Sequence, residues 1–348
     1  LLQQTYSLVD AAIVGKFLGI NALASVGAST SVVFLILGFC NGCCGGFGIP
    51  VAQKFGARDY STMRSYVSVS LQLAVVMSVV IAIFTSIYCA DILKMMRTPE
   101  NIFEGAYAYL LVTFIGIPCT FFYNLLSSII RALGDSKTPF YFLVLATVLN
   151  IILDLFCILV LGWGVMGAAI ATVFSQGVSA FLCYVYMYRK FDILRGTPKE
   201  RKYQSKLAKT LLSIGVPMGL QFSITAIGTI IVQSAVNIYG PVHMAGFSAA
   251  GKIQNIFATV FTAFGATIAT YVGQNRGAGK MDRVKQGVRY TQMMVLGWSV
   301  FVMFLMFFFG KYLTYLFVDP SEQDVVNVSV TYFRTVFWAY PFLGSIFL

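Results

Sequence analysis

Charge is what this chain has least of. Only 11% of its 348 residues are Asp, Glu, Lys or Arg, and the acids number thirteen. An ordinary soluble domain carries roughly 25% charged residues. A water-exposed surface cannot be built from so little charge, so a soluble globular enzyme or a nucleic-acid reader is excluded as the default. Histidine is nearly absent, with a single residue at His243. The seven cysteines (Cys40, Cys43, Cys44, Cys89, Cys119, Cys157 and Cys183) are odd in number and sit in or at the edge of apolar segments. They match no zinc spacing and read as small packing residues. A phosphate-binding loop is missing too. Residues 246–252 read GFSAAGK, but Ile253 replaces the required hydroxyl and no strand precedes the segment. No nucleophile–base arrangement supports a membrane-embedded enzyme.

What fills the chain is apolar: 58% of the residues are hydrophobic and 15% are aromatic. A spanning helix needs about 20 such residues. Ten spans are predicted, at 1–16, 23–50, 66–90, 102–126, 139–161, 165–188, 207–236, 243–271, 287–309 and 325–348. The net charge of +11 then acquires a topological meaning. Eighteen of the 24 basic residues fall near 52–65, 131–138, 189–209 and 274–289, and only four fall in the alternate loops. By the positive-inside rule the first set faces the cytoplasm. Polyanion binding explains the charge less well, and no nucleic-acid partner is predicted. The remaining two, Lys252 and Arg334, lie inside apolar segments. Lys252 either tunes the potential of a cavity or pairs or snorkels to the interface.

The chain also repeats itself. Shifted by 221 positions, VAQKFGA (51–57) falls on VGQNRGA (272–278), Gly19 on Gly240 and Pro99 on Pro320. An even number of spans separates the copies, so both halves share one orientation, as in transporters with parallel repeats. The predicted fold is therefore an all-α membrane protein of two parallel six-helix bundles. Residues 1–190 form the N-terminal lobe, 191–206 a cytoplasmic linker and 207–348 the C-terminal lobe. By the repeat, the first helix is short and two helices of the second lobe are absent, leaving about ten.

Against this background two acids stand out. Asp10 lies in TYSLVDAAIVG and Asp154 in VLNIILDLFCILVLG. A charge at bilayer depth costs several kcal/mol and marks an ion or substrate path. Asn150 sits one helical turn before Asp154, on the same face, and Thr172 lies on the next span within GAAIAT. Two carboxylates, an amide and a hydroxyl suit a hard cation, or alternatively a carboxyl that takes up a proton. A hydrogen-bonded network serving only to hold helices together is the competing reading.

The segments TYSLVDAAIVGKFLGINALASVG (5–27), GIPVAQKFGARD (48–59), RALGDSKTP (131–139) and LNIILDLFCILVLGWGVMGAAIAT (149–172) together resemble the multidrug and toxic compound extrusion (MATE) family. VPMGLQFSITAIG (216–228) and VGQNRGAGKMDRV (272–284) are similar to the corresponding elements of its second lobe. The resemblance, nearest to the prokaryotic DinF-like branch, implies two six-helix lobes in the cytoplasmic membrane. They would export amphipathic or cationic compounds in exchange for Na+ or H+, with no cofactor and as a monomer in lipid. It places the coupling site at Asp10, Asn150, Asp154 and Thr172, with Tyr6 and Asn124 as nearby polar positions. Only for Na+ would the four act as metal ligands. The rival within the superfamily, a flippase for lipid-linked oligosaccharide or peptidoglycan precursors, is expected to need a basic cavity. Lys252 and Arg334 keep that rival open.

Overall fold

The computed structural model of the chain describes residue 10 and residues 13–96, 98–198 and 200–347. The chain divides into two compact units, one running to Ala226 and the other from Ile227 to Leu348. The described residues are helical nearly throughout and contain no strand.

In the first unit, residues 13–18 are helical and are followed by α1 (Ile20–Gly56), α2 (Tyr60–Ile87) and the short α3 (Cys89–Met95). The 37 residues of α1 make a rod of roughly 55 Å at 1.5 Å per residue, longer than a bilayer core is thick. Asp59 starts α2 by accepting the Thr62 amide at 3.2 Å, an N-cap worth about 1 kcal/mol. One face of α2 buries Leu73, Ala74, Ser78 and Ala82. The other turns Val75, Val76, Val79, Val80 and Ile83 outward. That inverted exposure is what a lipid-facing helix requires, because no apolar surface needs hiding from acyl chains.

The predicted span 102–126 is not one rod. It divides into α4 (Glu100–Ile115) and α5 (Ile117–Ala132), bent by 46°. Pro118 lacks the amide that would continue the ladder, and a side chain at Gly116 would collide with Val173. Then come α6 (Lys137–Leu155), a π turn at Phe156–Val160, α7 (Gly164–Lys190), and α8 (Ser205–Asn237), which belongs to this unit as far as Ala226. Phe47, Phe114, Phe121, Leu110, Leu125 and Leu126 are fully buried among α1, α4 and α5. Cys40, Cys43 and Cys44 pack with them as free thiols.

The second unit contains α9 (Pro241–Gly277), α10 (Met281–Thr314), α11 (Gln323–Val336) and α12 (Tyr340–Ile346). Ile253, Phe261, Val302, Met306 and Phe333 form its core. Ser329 Oγ ties α11 to α9 through the Gly246 carbonyl at 2.7 Å.

Among the described residues seven helices are long and apolar enough to span, and the bent α4–α5 pair makes up to eight if it is one span. The predicted span 325–348 is interrupted by a 3-10 turn at Phe337–Ala339, with Pro341 in the first turn of α12. Most of the predicted span 1–16 lies outside the described residues.

The repeat is present in the backbone. Helices α1 and α9 have the same 37-residue length at a shift of 221. Gly19 (φ 86°, ψ −178°) precedes one and Gly240 (φ 88°, ψ 179°) the other. The turns that follow place Arg58 at φ 58° and Gly279 at φ 70°, again 221 positions apart. The contact boundary at Ala226 falls inside α8, whereas the repeat starts its second copy near 207.

Candidate functional site

The candidate site is built by α6, α7 and residue 10. Asn150 and Asp154 lie one turn apart near the end of α6, where the helix widens into the π turn at Phe156–Val160. Such turns interrupt the regular ladder and recur at functional positions. On α7, the small buried residues Gly167, Ala168, Ala169 and Ala171 let the two helices approach. A Cβ on Gly167 would stand 3.0 Å from Cys157 Cβ. Small residues at a helix contact serve this purpose in membranes.

The four residues are withdrawn from the surface: Asp154 is 0% exposed, Asn150 2% and Asp10 6%. Thr172 is half-buried. Asn150 Nδ2 donates to Thr172 Oγ1 at 3.2 Å and, weakly, to Asp154 Oδ1 at 3.4 Å. The amide therefore joins α6 to α7. The Asp10 and Asp154 carboxyls lie close enough to interact electrostatically. All three ion pairs among the described residues lie elsewhere, at Lys54–Asp59, Arg64–Glu200 and Arg195–Asp192. Two adjoining carboxylates without a basic partner repel one another unless a proton or a cation is shared between them.

Three oxygens of the cluster, Asp10 Oδ1, Asn150 Oδ1 and Asp154 Oδ2, are buried without a hydrogen-bond partner among the described residues. An unsatisfied buried acceptor costs about 1–3 kcal/mol, so three together concentrate unused acceptor capacity at one point of the first unit. A small cleft runs from Leu143, Ala146 and Thr147 past Asn150 and Thr172 to Ser175 and Gln176. Ser175 Oγ and Gln176 Oε1 are likewise buried and unpartnered among the described residues. The sequence reading missed these two. Their signal was their spacing, three and four residues after Thr172, on the same helix face.

The other predicted positions are more dispersed. Asn124 is half-buried on α5, and Tyr6 lies outside the described residues. Lys252 is exposed on α9, its ammonium 5.8 Å from the centre of the Phe317 ring, and Arg334 lies at the same distance from Phe307. Both cations sit against aromatic faces, an attraction of about 0.5–1 kcal/mol at exposed positions.

Long apolar helices enclosing a buried pair of acids define an integral membrane transporter. The chain belongs to the MatE family, whose model matches residues 1–156 and 217–348. It is 31% identical over 347 residues to the probable multidrug resistance protein YpnP of Bacillus subtilis (strain 168), covering 100% of this chain and 77% of that protein. It is 27% identical to the probable multidrug resistance protein NorM of Thermotoga maritima, covering 94% and 71%. A crystal structure of MATE in the bent conformation superimposes with a TM-score of 0.89 at 25% identity, covering 99% of this chain and 77% of that one. The family and the apolar spans make this an integral protein of the bacterial plasma membrane, within a family of multidrug efflux transporters.

Proposed function

We propose that the chain is an ion-coupled antiporter that exports amphipathic or cationic organic molecules in exchange for Na+ or H+. Asp10, Asn150, Asp154 and Thr172 form the coupling cluster. The observation that carries this reading is the set of three buried, unpartnered oxygens on Asp10, Asn150 and Asp154. Oxygen donors of mixed carboxylate and amide type suit a hard cation. The same pair of carboxyls can instead hold one shared proton. Either ligand neutralises a charge inside the first unit and draws residue 10 toward α6. Transport follows only if the ion binds one conformation more tightly than the other, since a ligand with equal affinity shifts nothing. Ser175 and Gln176 extend the polar wall along α7 and would order the approach to the cluster. The organisation into two six-helix lobes, acting as a monomer in lipid, belongs to the same proposal.

The test is dye efflux from proteoliposomes, driven separately by a Na+ gradient and a pH gradient. Asp154→Asn and Asp10→Asn are expected to remove gradient-driven efflux by at least ten-fold, about 1.4 kcal/mol or more. Elution of the variants as single folded species excludes misfolding. Wild-type efflux in either variant would sink the assignment. Retention of a polyprenyl pyrophosphate with no efflux of cationic dye would favour the flippase reading.

A further inference from the structure

A second polar cleft lies at the end of the first unit predicted to face the cytoplasm, between α2 and α7 and beneath the linker that follows α7. The linker is strapped down. Glu200 forms a two-pronged pair with Arg64, Nε to Oε2 at 2.8 Å and Nη2 to Oε1 at 2.7 Å. Its carboxylate also accepts Ser61 Oγ at 2.6 Å and the Thr197 amide at 2.9 Å. One residue later, the Arg201 carbonyl accepts Ser68 Oγ at 3.2 Å and Gln72 Nε2 at 2.8 Å. The space so roofed is about 340 Å³, at the lower end of the range of small-molecule sites.

We propose that this cleft binds the headgroup of one anionic phospholipid of the inner leaflet. Charge is the first argument. Arg64 is compensated by Glu200, whereas the exposed Arg201 side chain makes no ion pair among the described residues. The cleft therefore holds one surplus positive charge, which matches one phosphodiester monoanion. Anchoring is the second: Gln72 and Ser68 hold the Arg201 backbone at the cleft, and Arg201 is one of its lining residues. Position is the third. Tyr184 and Tyr188 pack at 4.8 Å between ring centroids, tilted by 54°, and line the same cleft, where amphipathic rings mark the membrane interface. From there α2 and α7 run into the bilayer in opposite chain directions. Below the cleft they expose Val75 and Val79 on one helix and Phe181 on the other. A headgroup at Arg201 would lay its acyl chains along those residues, which a free phosphate could not use.

The experiment is titration of the purified chain in detergent with phosphatidylglycerol, counting bound lipids by native mass spectrometry. Phosphatidylcholine and inorganic phosphate serve as separate probes. Arg201→Ala is expected to weaken the first bound phosphatidylglycerol about five-fold, the contribution of one basic residue at an anionic surface. Lys202→Ala removes the same charge from an exposed neighbour outside the cleft, and is expected to leave that first site unchanged. Equal weakening in both variants would reduce the effect to general linker charge and overturn the site. Phosphatidylcholine binding as tightly as phosphatidylglycerol would also overturn it. Thermal stabilisation by inorganic phosphate that depends on Arg201 would reassign the cleft to a soluble anion.

Discussion

The start of α8 is held against α1 by a crossing that tolerates no side chain. Two glycines four apart on α1, Gly42 and Gly46, meet two on α8, Gly215 and Gly219. A Cβ on Gly46 would lie 2.6 Å from Gly215 Cα, and one on Gly42 would lie 2.7 Å from Gly219 Cα. Carbon atoms pack best at about 3.5–4.0 Å, so Gly46→Ala must part the helices by roughly 1 Å. Overpacking of this kind costs about 1–3 kcal/mol. Gly27 lies on the same helix with nothing within 4 Å of its Cβ position. There Gly→Ala removes only backbone freedom and is expected to stabilise by about 0.5–1 kcal/mol. One helix and one chemical change should thus give opposite signs. The assay is thermal unfolding in detergent, followed by a thiol-reactive dye that reports exposure of the buried Cys40, Cys43 and Cys44. Gly46→Ala should lower the midpoint and Gly27→Ala should raise it. Combining Gly46→Ala with Gly215→Ala should cost less than the two singles together, because both part the same crossing. If Gly46→Ala leaves the midpoint unchanged, or moves it with Gly27→Ala, the close approach does not hold the helices.

Two further outcomes follow from the loops. Arg58 occupies the left-handed region at φ 58°, where the repeat-related residue is Gly279. Arg58→Gly should stabilise by somewhat under 1 kcal/mol, since relief of about 1–2 kcal/mol is offset by the entropy of glycine; an unchanged midpoint would contradict this. The Arg64 pair, with Ser61 and the Thr197 amide, holds the Glu200 carboxyl well below the usual carboxylate range. A depressed acid contributes stability that is complete above its unfolded value, near 4.3, and is lost only as pH falls through the folded value. Hydrogen exchange of residues 191–206 should therefore be equally protected at about pH 7 and pH 5. Glu200→Gln should lose protection at both, and loss in wild type already at pH 5 would refute the clamp.

Periodicity and length carried the helices, because a bilayer imposes the same demand on every span. They failed where a break depends on a partner. Pro118 was visible in the predicted span 102–126, but the 46° bend at Gly116 also needs Val173, which lies on another helix. The linker read as a basic tether because composition cannot show that Glu200 would meet Arg64, 136 positions away. Asn150, Asp154 and Thr172 were legible, since one helical turn and one short connection bring them together. Ser175 and Gln176 were equally well placed by spacing, yet neutral residues at depth raise no alarm of cost as a carboxylate does.

The repeat shows why the site cannot be inferred from the frame. Gly19 and Gly240 take the same conformation within a few degrees, and α1 and α9 have equal length. Nonetheless Asp10 is 6% exposed, while its counterpart in the second copy is Ile231, 64% exposed on α8. Lengths and turns answer to the membrane and are retained in both copies. A buried acid is stable only where neighbours offer a ligand or a proton to share. Asp10 has Asp154 beside it, whereas Ile231 is an apolar residue with no such chemistry to perform. The proposed coupling therefore rests on the side chains that broke the symmetry. Restoring it by Asp10→Ile should leave the α1 turn at Gly19 intact and abolish ion-driven transport.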